Sequence, residues 1–183
     1  MMELLAPAGG YEALTAAVQS GADVVYMGFV AFNARRSARN FTDEEFASAV
    51  AYCHLRGVRV FLTLNTLVTD RELPGAAEVL RKASAMGVDA VLVQDWGLLT
   101  LAKEIVPDLP IHASTQMSLF TLGGAVEAAA LGCRCGSCFH VIWNQEREAA
   151  DLDQKMSEDT SASVKVAVEG LKRLIEADRK AGR

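Results

Sequence analysis

From residue 3 to about residue 132 the chain alternates short apolar runs with longer segments in which apolar positions return every three or four residues. The short runs, residues 3–6, 23–27, 58–64, 90–93 and 111–114, are rich in Val, Ile, Leu and Phe without polar alternation, which predicts parallel strands covered on both faces. The longer segments, residues 11–20, 43–56, 71–86, 96–106 and 122–131, predict helices. In the second of them Phe46, Ala49, Val50 and Cys53 share one face, while Asp43, Glu44 and Arg56 can face water. Thr42 with Glu45 three residues on is a capping box. Ser20-Gly21-Ala22-Asp23, Arg56-Gly57-Val58 and Met86-Gly87-Val88-Asp89 each place a glycine where a left-handed residue can end a helix and turn the chain into a strand.

Five βα units fit either an open doubly wound sheet or part of a (β/α)8 barrel. A complete barrel typically takes about 250 residues, and this chain has 183. The expected fold is therefore α/β: a partial TIM-barrel-like repeat of about five parallel strands, followed by a helical C-terminal tail. The character changes after Gly132. Residues 139–153 have little pattern, 155–163 are polar, and 164–180 carry an apolar stripe of Val164, Val168, Leu171, Leu174 and Ile175. Two parts are expected, a partial barrel over 1–134 and a divergent cysteine-containing segment with an amphipathic helix over 135–183. Five strands of a barrel would leave the first and fifth with unpaired edges, which predicts self-association or a partner chain.

Composition restricts the function classes. A chain with 51% hydrophobic and 22% charged residues is a folded globule. Its net charge of −5 excludes attachment to nucleic acid by bulk charge and leaves room for a local basic site. No run approaches the roughly 18 apolar residues of a membrane span, and the first residues lack a basic leader region, so a cytoplasmic protein is expected. Cys133, Cys135 and Cys138 form a Cys-x-Cys-x-x-Cys run with His140 close behind, a donor set that zinc or an iron–sulfur cluster accepts, although tighter than common Cys-x-x-Cys pairs. Three fortuitous thiols are the competing reading.

Chemistry in parallel α/β folds gathers where strands end. Here those positions supply Asn33, Arg35, Arg36, Arg39 and Asn40 after the second run, Asn65 and Thr66 after the third, Gln94 and Asp95 after the fourth, and His112, Ser114, Thr115 and Gln116 at the fifth. One mouth would collect guanidinium, amide and hydroxyl groups suited to a small anionic or strongly hydrogen-bonding ligand. The alternatives stay open: surface arginines on a solvated loop, and Asn65 or Gln116 satisfying loop backbone. His112 reads as a hydrogen-bonded histidine sooner than a catalyst, and Asp95 as a helix cap sooner than a base. The chain has no GxGxxG fingerprint, P-loop, His-Glu-x-x-His or Gly-x-Ser-x-Gly elbow, so familiar hydrolase machinery is absent.

Glu3-Leu4-Leu5-Ala6-Pro7-Ala8-Gly9, Gly21-Ala22-Asp23-Val24-Val25-Tyr26-Met27-Gly28, Phe32-Asn33-Ala34-Arg35-Arg36-Ser37-Ala38-Arg39-Asn40-Phe41, Thr63-Leu64-Asn65-Thr66-Leu67 and His112-Ala113-Ser114-Thr115-Gln116, in that order, resemble the amino-terminal half of the collagenase-like peptidase family U32, over about residues 1–134. The resemblance implies a TIM-barrel-like catalytic domain. It also implies either the peptidase activity of the family name or, as in several members, oxygen-independent hydroxylation of transfer RNA, ribosomal RNA or a quinone precursor, commonly with an iron–sulfur cluster. Carried over by position, Arg35, Arg36, Arg39, Asn65, Ser114, Thr115 and Gln116 belong to the ligand-facing mouth. After Arg134 the chain departs from the family pattern: a sixth strand and the family's cluster cysteines are missing, and Cys135 and Cys138 do not inherit that role by position. A changed reading frame and a shortened or fused protein are two accounts of the departure. Whether the chain is itself an enzyme stays open. The alternatives are a metal-binding module on Cys133, Cys135, Cys138 and His140, or a non-catalytic interaction subunit.

Overall fold

The computed structural model describes residues 4–34, 39–119 and 121–134. Six parallel strands alternate with five helices: β1 (Leu5–Pro7), α1 (Tyr11–Gln19), β2 (Val24–Met27), α2 (Asp43–His54), β3 (Arg59–Leu64), α3 (Leu73–Ala85), β4 (Ala90–Val93), α4 (Trp96–Ile105), β5 (Ile111–Ala113), α5 (Leu122–Ala130) and β6 (Cys133–Arg134). A single 3-10 turn, Thr115–Met117, follows β5. The expected tail, including the stripe from Val164 to Ile175, lies outside the described residues.

Strand order decides between the two architectures the pattern left open. A doubly wound sheet reverses its strand order once, and its helices then cover both faces. Here the order runs β1-β2-β3-β4-β5-β6 without reversal. Residues of all five helices, among them Leu14, Phe46, Leu80, Leu98 and Ala128, pack with Val25, Val60, Leu62, Val91 and Ile111 from one face of the sheet. That is the winding of a barrel wall, and the fold is a partial TIM-barrel-like one. The other face carries its own apolar cluster of Leu5, Val24, Phe61, Ala90 and Leu92, with Tyr26 against it. This is the barrel's inner face. Burying a side chain such as Phe46 or Leu80 completely is worth about 1.5–3 kcal/mol.

All five expected strands are present. The expectation that the fifth would present a bare edge is corrected, because β5 pairs with β6 through Ile111↔Cys133 and His112↔Arg134. The helix ends follow the sequence punctuation. Thr42 Oγ1 accepts from Glu45 N and Glu45 Oε2 from Thr42 N, completing the capping box, and Asp95 Oδ1 accepts from Leu98 N at 2.9 Å. Gly21, Gly57, Gly87 and Gly132 all have positive φ at the returns from helix to strand.

Two of those returns share a further device. Leu4 N donates to Asp23 Oδ2 at 2.7 Å, and Asp23 N donates to Leu4 O at 2.9 Å. Val60 N and Asp89 form the same reciprocal pair, at 2.7 Å to Oδ2 and 2.8 Å back to Val60 O. Each Gly-x-Asp motif thus clasps the neighbouring strand at its amino end and sets its register.

Candidate functional site at the carboxyl ends of the strands

Pleating sends alternate side chains to the inner face. In β3 these are Arg59, Phe61 and Thr63, with Asn65 next beyond the strand; β4 contributes Ala90 and Leu92, followed by Gln94, and β5 contributes His112, followed by Ser114. The register places Thr63, Leu92 and His112 in one row. Asn65, Gln94 and Ser114 stand one step closer to the mouth. The His112 ring lies 5.0 Å from Phe61, and His112 is half-buried. Ser114 is buried; its Oγ accepts from Gln116 N at 3.3 Å and opens the 3-10 turn, leaving Thr115 half-buried and Gln116 exposed at the rim.

The described parts of the β2–α2 loop reach the ends of two strands: Ala34 contacts Asn65 beyond β3, and Asn40 N donates to Gly9 O beyond β1. Asn33 Nδ2 donates to Asn40 Oδ1 at 2.8 Å, and both asparagines are buried. Ala34 N donates to Asn65 Oδ1 at 3.3 Å, so Asn65 satisfies loop backbone while it stands at the end of β3. Arg39 turns its side chain to Glu45 on the first turn of α2 and is 76% exposed. Arg35 and Arg36 lie outside the described residues. Asn65 thus stands just beyond β3, Ser114, Thr115 and Gln116 just beyond β5 with β4 between the two strands, and Arg39 pairs with Glu45 on α2.

Two residues missing from the sequence expectations shape the mouth. A Cβ on Gly28 would sit 2.4 Å from Thr63 Oγ1 and 2.5 Å from Asn33 Nδ2, so only glycine lets the end of β2 approach them. Thr63 Oγ1 is buried without a hydrogen-bond partner among the described residues. Alternation along β3 was the available signal for Thr63, since Phe61 and Thr63 must share a face. Gly28 carried only the general one of a glycine at a strand end.

These features define a class: an α/β protein built as part of a barrel wall, with a hydrogen-bonding mouth at the carboxyl ends of its strands. The family model of peptidase family U32 matches residues 9–170, and the chain belongs to that family. It is 40% identical to an uncharacterized protease of Methanocaldococcus jannaschii, over 65% of this chain and 29% of that protein. A 23S rRNA 5-hydroxycytidine synthase of Escherichia coli is 39% identical over 66% of the chain and 18% of its own length. A tRNA hydroxylation protein of Bacillus subtilis is 34% identical over 64% and 28%. The chain spans less than a third of the length of these relatives. A solved U32 peptidase structure superposes with a TM-score of 0.57 at 21% identity, covering 73% of this chain and 56% of that one, which supports the fold.

An iron–sulfur cluster, implied by the family resemblance, does not fit the described residues. No group of three or more His, Cys, Asp or Glu side chains comes together among them. Cys53 and Cys133 are both buried in the helix-facing core, with Cys133 opposite Ile111 and so directed away from the mouth. Cys135, Cys138 and His140 lie outside the described residues. Among the described residues no helix is long and apolar enough to cross a membrane.

Proposed function

We propose that the chain is the barrel-forming part of a U32 enzyme that hydroxylates RNA, with the mouth as its nucleotide-binding end. The observation that carries this reading is its 39% identity with a relative named for hydroxylating cytidine in 23S rRNA. The chemistry of the mouth supports it, because amide and hydroxyl groups such as Asn65, Gln94, Ser114, Thr115 and Gln116 match the mixed donors and acceptors of a base edge. Arg35 and Arg36 supply charge for phosphate. Replacing C–H by C–OH is a two-electron oxidation, so an oxygen source and an electron acceptor come from outside these residues. The described groups bind and orient the substrate. The working protein is cytoplasmic, divides near residue 134, and completes its barrel wall by self-association or with a partner chain.

The test is mass spectrometry of nucleosides from ribosomal and transfer RNA of cells with the gene deleted and then restored. The reading requires a hydroxylated nucleoside that disappears on deletion, returns with the wild-type gene, and stays low with Arg36→Ala or Asn65→Ala. Unchanged hydroxylated nucleosides refute it, and gelatin cleavage by the purified protein would favour the activity of the relative named collagenase in Porphyromonas gingivalis, 36% identical over 64% of this chain and 28% of its own length.

A further inference from the structure

The helix α4 keeps its largest side chain out of both apolar clusters. Leu98, Leu99 and Ala102 are buried, whereas Trp96, the first residue of the helix, is 41% exposed and joins neither cluster. Lys103 shows which way Trp96 faces. It stands seven residues on, about 20° round the helix from Trp96, and its Nζ fills the space beside Gly132 at the return from α5 to β6. Trp96 therefore lies on the side of α4 towards the β5–α5 unit, about two turns nearer the carboxyl ends of the strands.

The first feature of that unit beyond β5 is the 3-10 turn Thr115–Met117. Ser114 Oγ accepts from Gln116 N, Ser118 N donates to Thr115 O at 3.1 Å, and Met117 is buried in the helix-facing core. Ser118 closes the turn with φ of +57°, one of three non-glycine residues with positive φ among those described, and such outliers gather where ligands are held. So fixed, the turn leaves Gln116 exposed and Thr115 half-buried, and neither side chain has a hydrogen-bond partner among the described residues.

We propose that Trp96, with Thr115 and Gln116 on the neighbouring turn, forms a seat for one unpaired base of an RNA: the indole stacks on the base, and the Gln116 amide reads its edge. The ligand rests on the RNA reading above; the seat adds which residues hold the RNA and in what state it is bound. A purely apolar partner would leave the amide and hydroxyl unsatisfied, and a phosphate alone has no use for an exposed indole. A base offers a π face and a rim of donors and acceptors together, and its face is free only outside a duplex.

The test uses the full chain and pooled unmodified transcripts of transfer and ribosomal RNA, offered free and annealed to complementary strands, at a temperature where every variant is folded. Trp143→Phe leaves Trp96 as the only indole, so its emission reports stacking directly. Free transcripts are expected to quench that emission and to bind about tenfold more tightly than annealed ones. Trp96→Ala should weaken binding of free transcripts about tenfold, the scale of base–aromatic stacking. The slope of log affinity against log salt should not change, because no phosphate contact is lost. Trp96→Phe should keep most of the affinity. Gln116→Ala should keep the quenching and flatten the differences in affinity among RNA homopolymers.

Wild-type protein that binds free transcripts without quenching Trp96, or Trp96→Ala protein that binds them as tightly, overturns the seat and leaves the RNA reading standing. Equal affinity for free and annealed transcripts overturns the unpaired base, and homopolymer preferences that survive Gln116→Ala overturn the reading of its edge. Wild-type protein that binds neither form overturns the RNA reading, and the seat with it.

Discussion

Asp89 holds Val60 in both directions: its carboxylate accepts from Val60 N at 2.7 Å, and its own N donates to Val60 O at 2.8 Å. The same Oδ2 lies 2.9 Å from His54 Nε2, so one side chain joins β3, the start of β4 and the end of α2. Val60 is fully buried, and removing the carboxylate takes away the acceptor of its N–H. Asp89→Ala is expected to destabilise the protein by about 1–3 kcal/mol, the cost of leaving a buried donor unpaired. Asp89→Asn, which keeps an acceptor oxygen, should cost less. Urea midpoints of the three proteins check this, and equal midpoints for wild type and Asp89→Ala would show that the clasp contributes nothing.

The Gly28–Thr63 contact makes a second pair of expectations. Gly28→Ala drives a methyl to 2.4 Å from Thr63 Oγ1 and 2.5 Å from Asn33 Nδ2, and neither partner belongs to a long side chain able to swing clear. The expected cost is about 1–3 kcal/mol, as for other overpacked sites. If thermal unfolding of Gly28→Ala matches the wild type, the approach is looser than described.

Thr63→Val should behave in the opposite way. The hydroxyl is buried with no partner among the described residues, and valine replaces it with a methyl of similar shape. Removing an unsatisfied polar atom is expected to leave stability unchanged or raise it by up to about 1 kcal/mol. A loss of more than that would mean the hydroxyl is satisfied by a group bound at the mouth.

Local signals along the chain were enough for much of this fold. Thr42 and Glu45 close their capping box, Asp95 caps α4, and Gly21, Gly57 and Gly87 take positive φ, because each depends on neighbours within a few residues. The apolar pattern predicts a helix from residue 71, two residues before α3 begins. Thr69 N and Oγ1 both donate to Glu72 Oε2, forming a turn that delays the helix until Leu73, where Pro74 falls in its first turn. The strand β6 has two residues, too few for any periodicity to show. The candidate site was half legible. The residue types at the strand ends were readable, but Arg39 turning to Glu45 and Asn65 accepting from Ala34 depend on how a long loop folds across its neighbours. Those are contacts between positions 6 and 31 apart, and no local pattern encodes them.

Cys53 provides a pH test of the core. It sits on α2 fully buried among apolar side chains, and burial pushes its thiol up to about 11 from an ordinary 9.0, with Arg56 opposing the shift and Asp89 adding to it. In the unfolded chain the thiol ionises near 9, while in the folded protein it stays neutral. Above pH 9 the unfolded state therefore holds fewer protons than the folded one, and stability must fall as pH rises. The contribution is complete below pH 9 and lost by about pH 11, an amount of about 2–3 kcal/mol if the full shift is realised. Tyrosines and lysines titrate over the same range, so the informative quantity is the difference between wild type and Cys53→Ala. The variant should be less stable at pH 8, having lost a packed side chain, and that deficit should shrink as pH approaches 11. Parallel stability curves for the two proteins from pH 8 to 11 would place the thiol in contact with water and contradict its position in the helix-facing core.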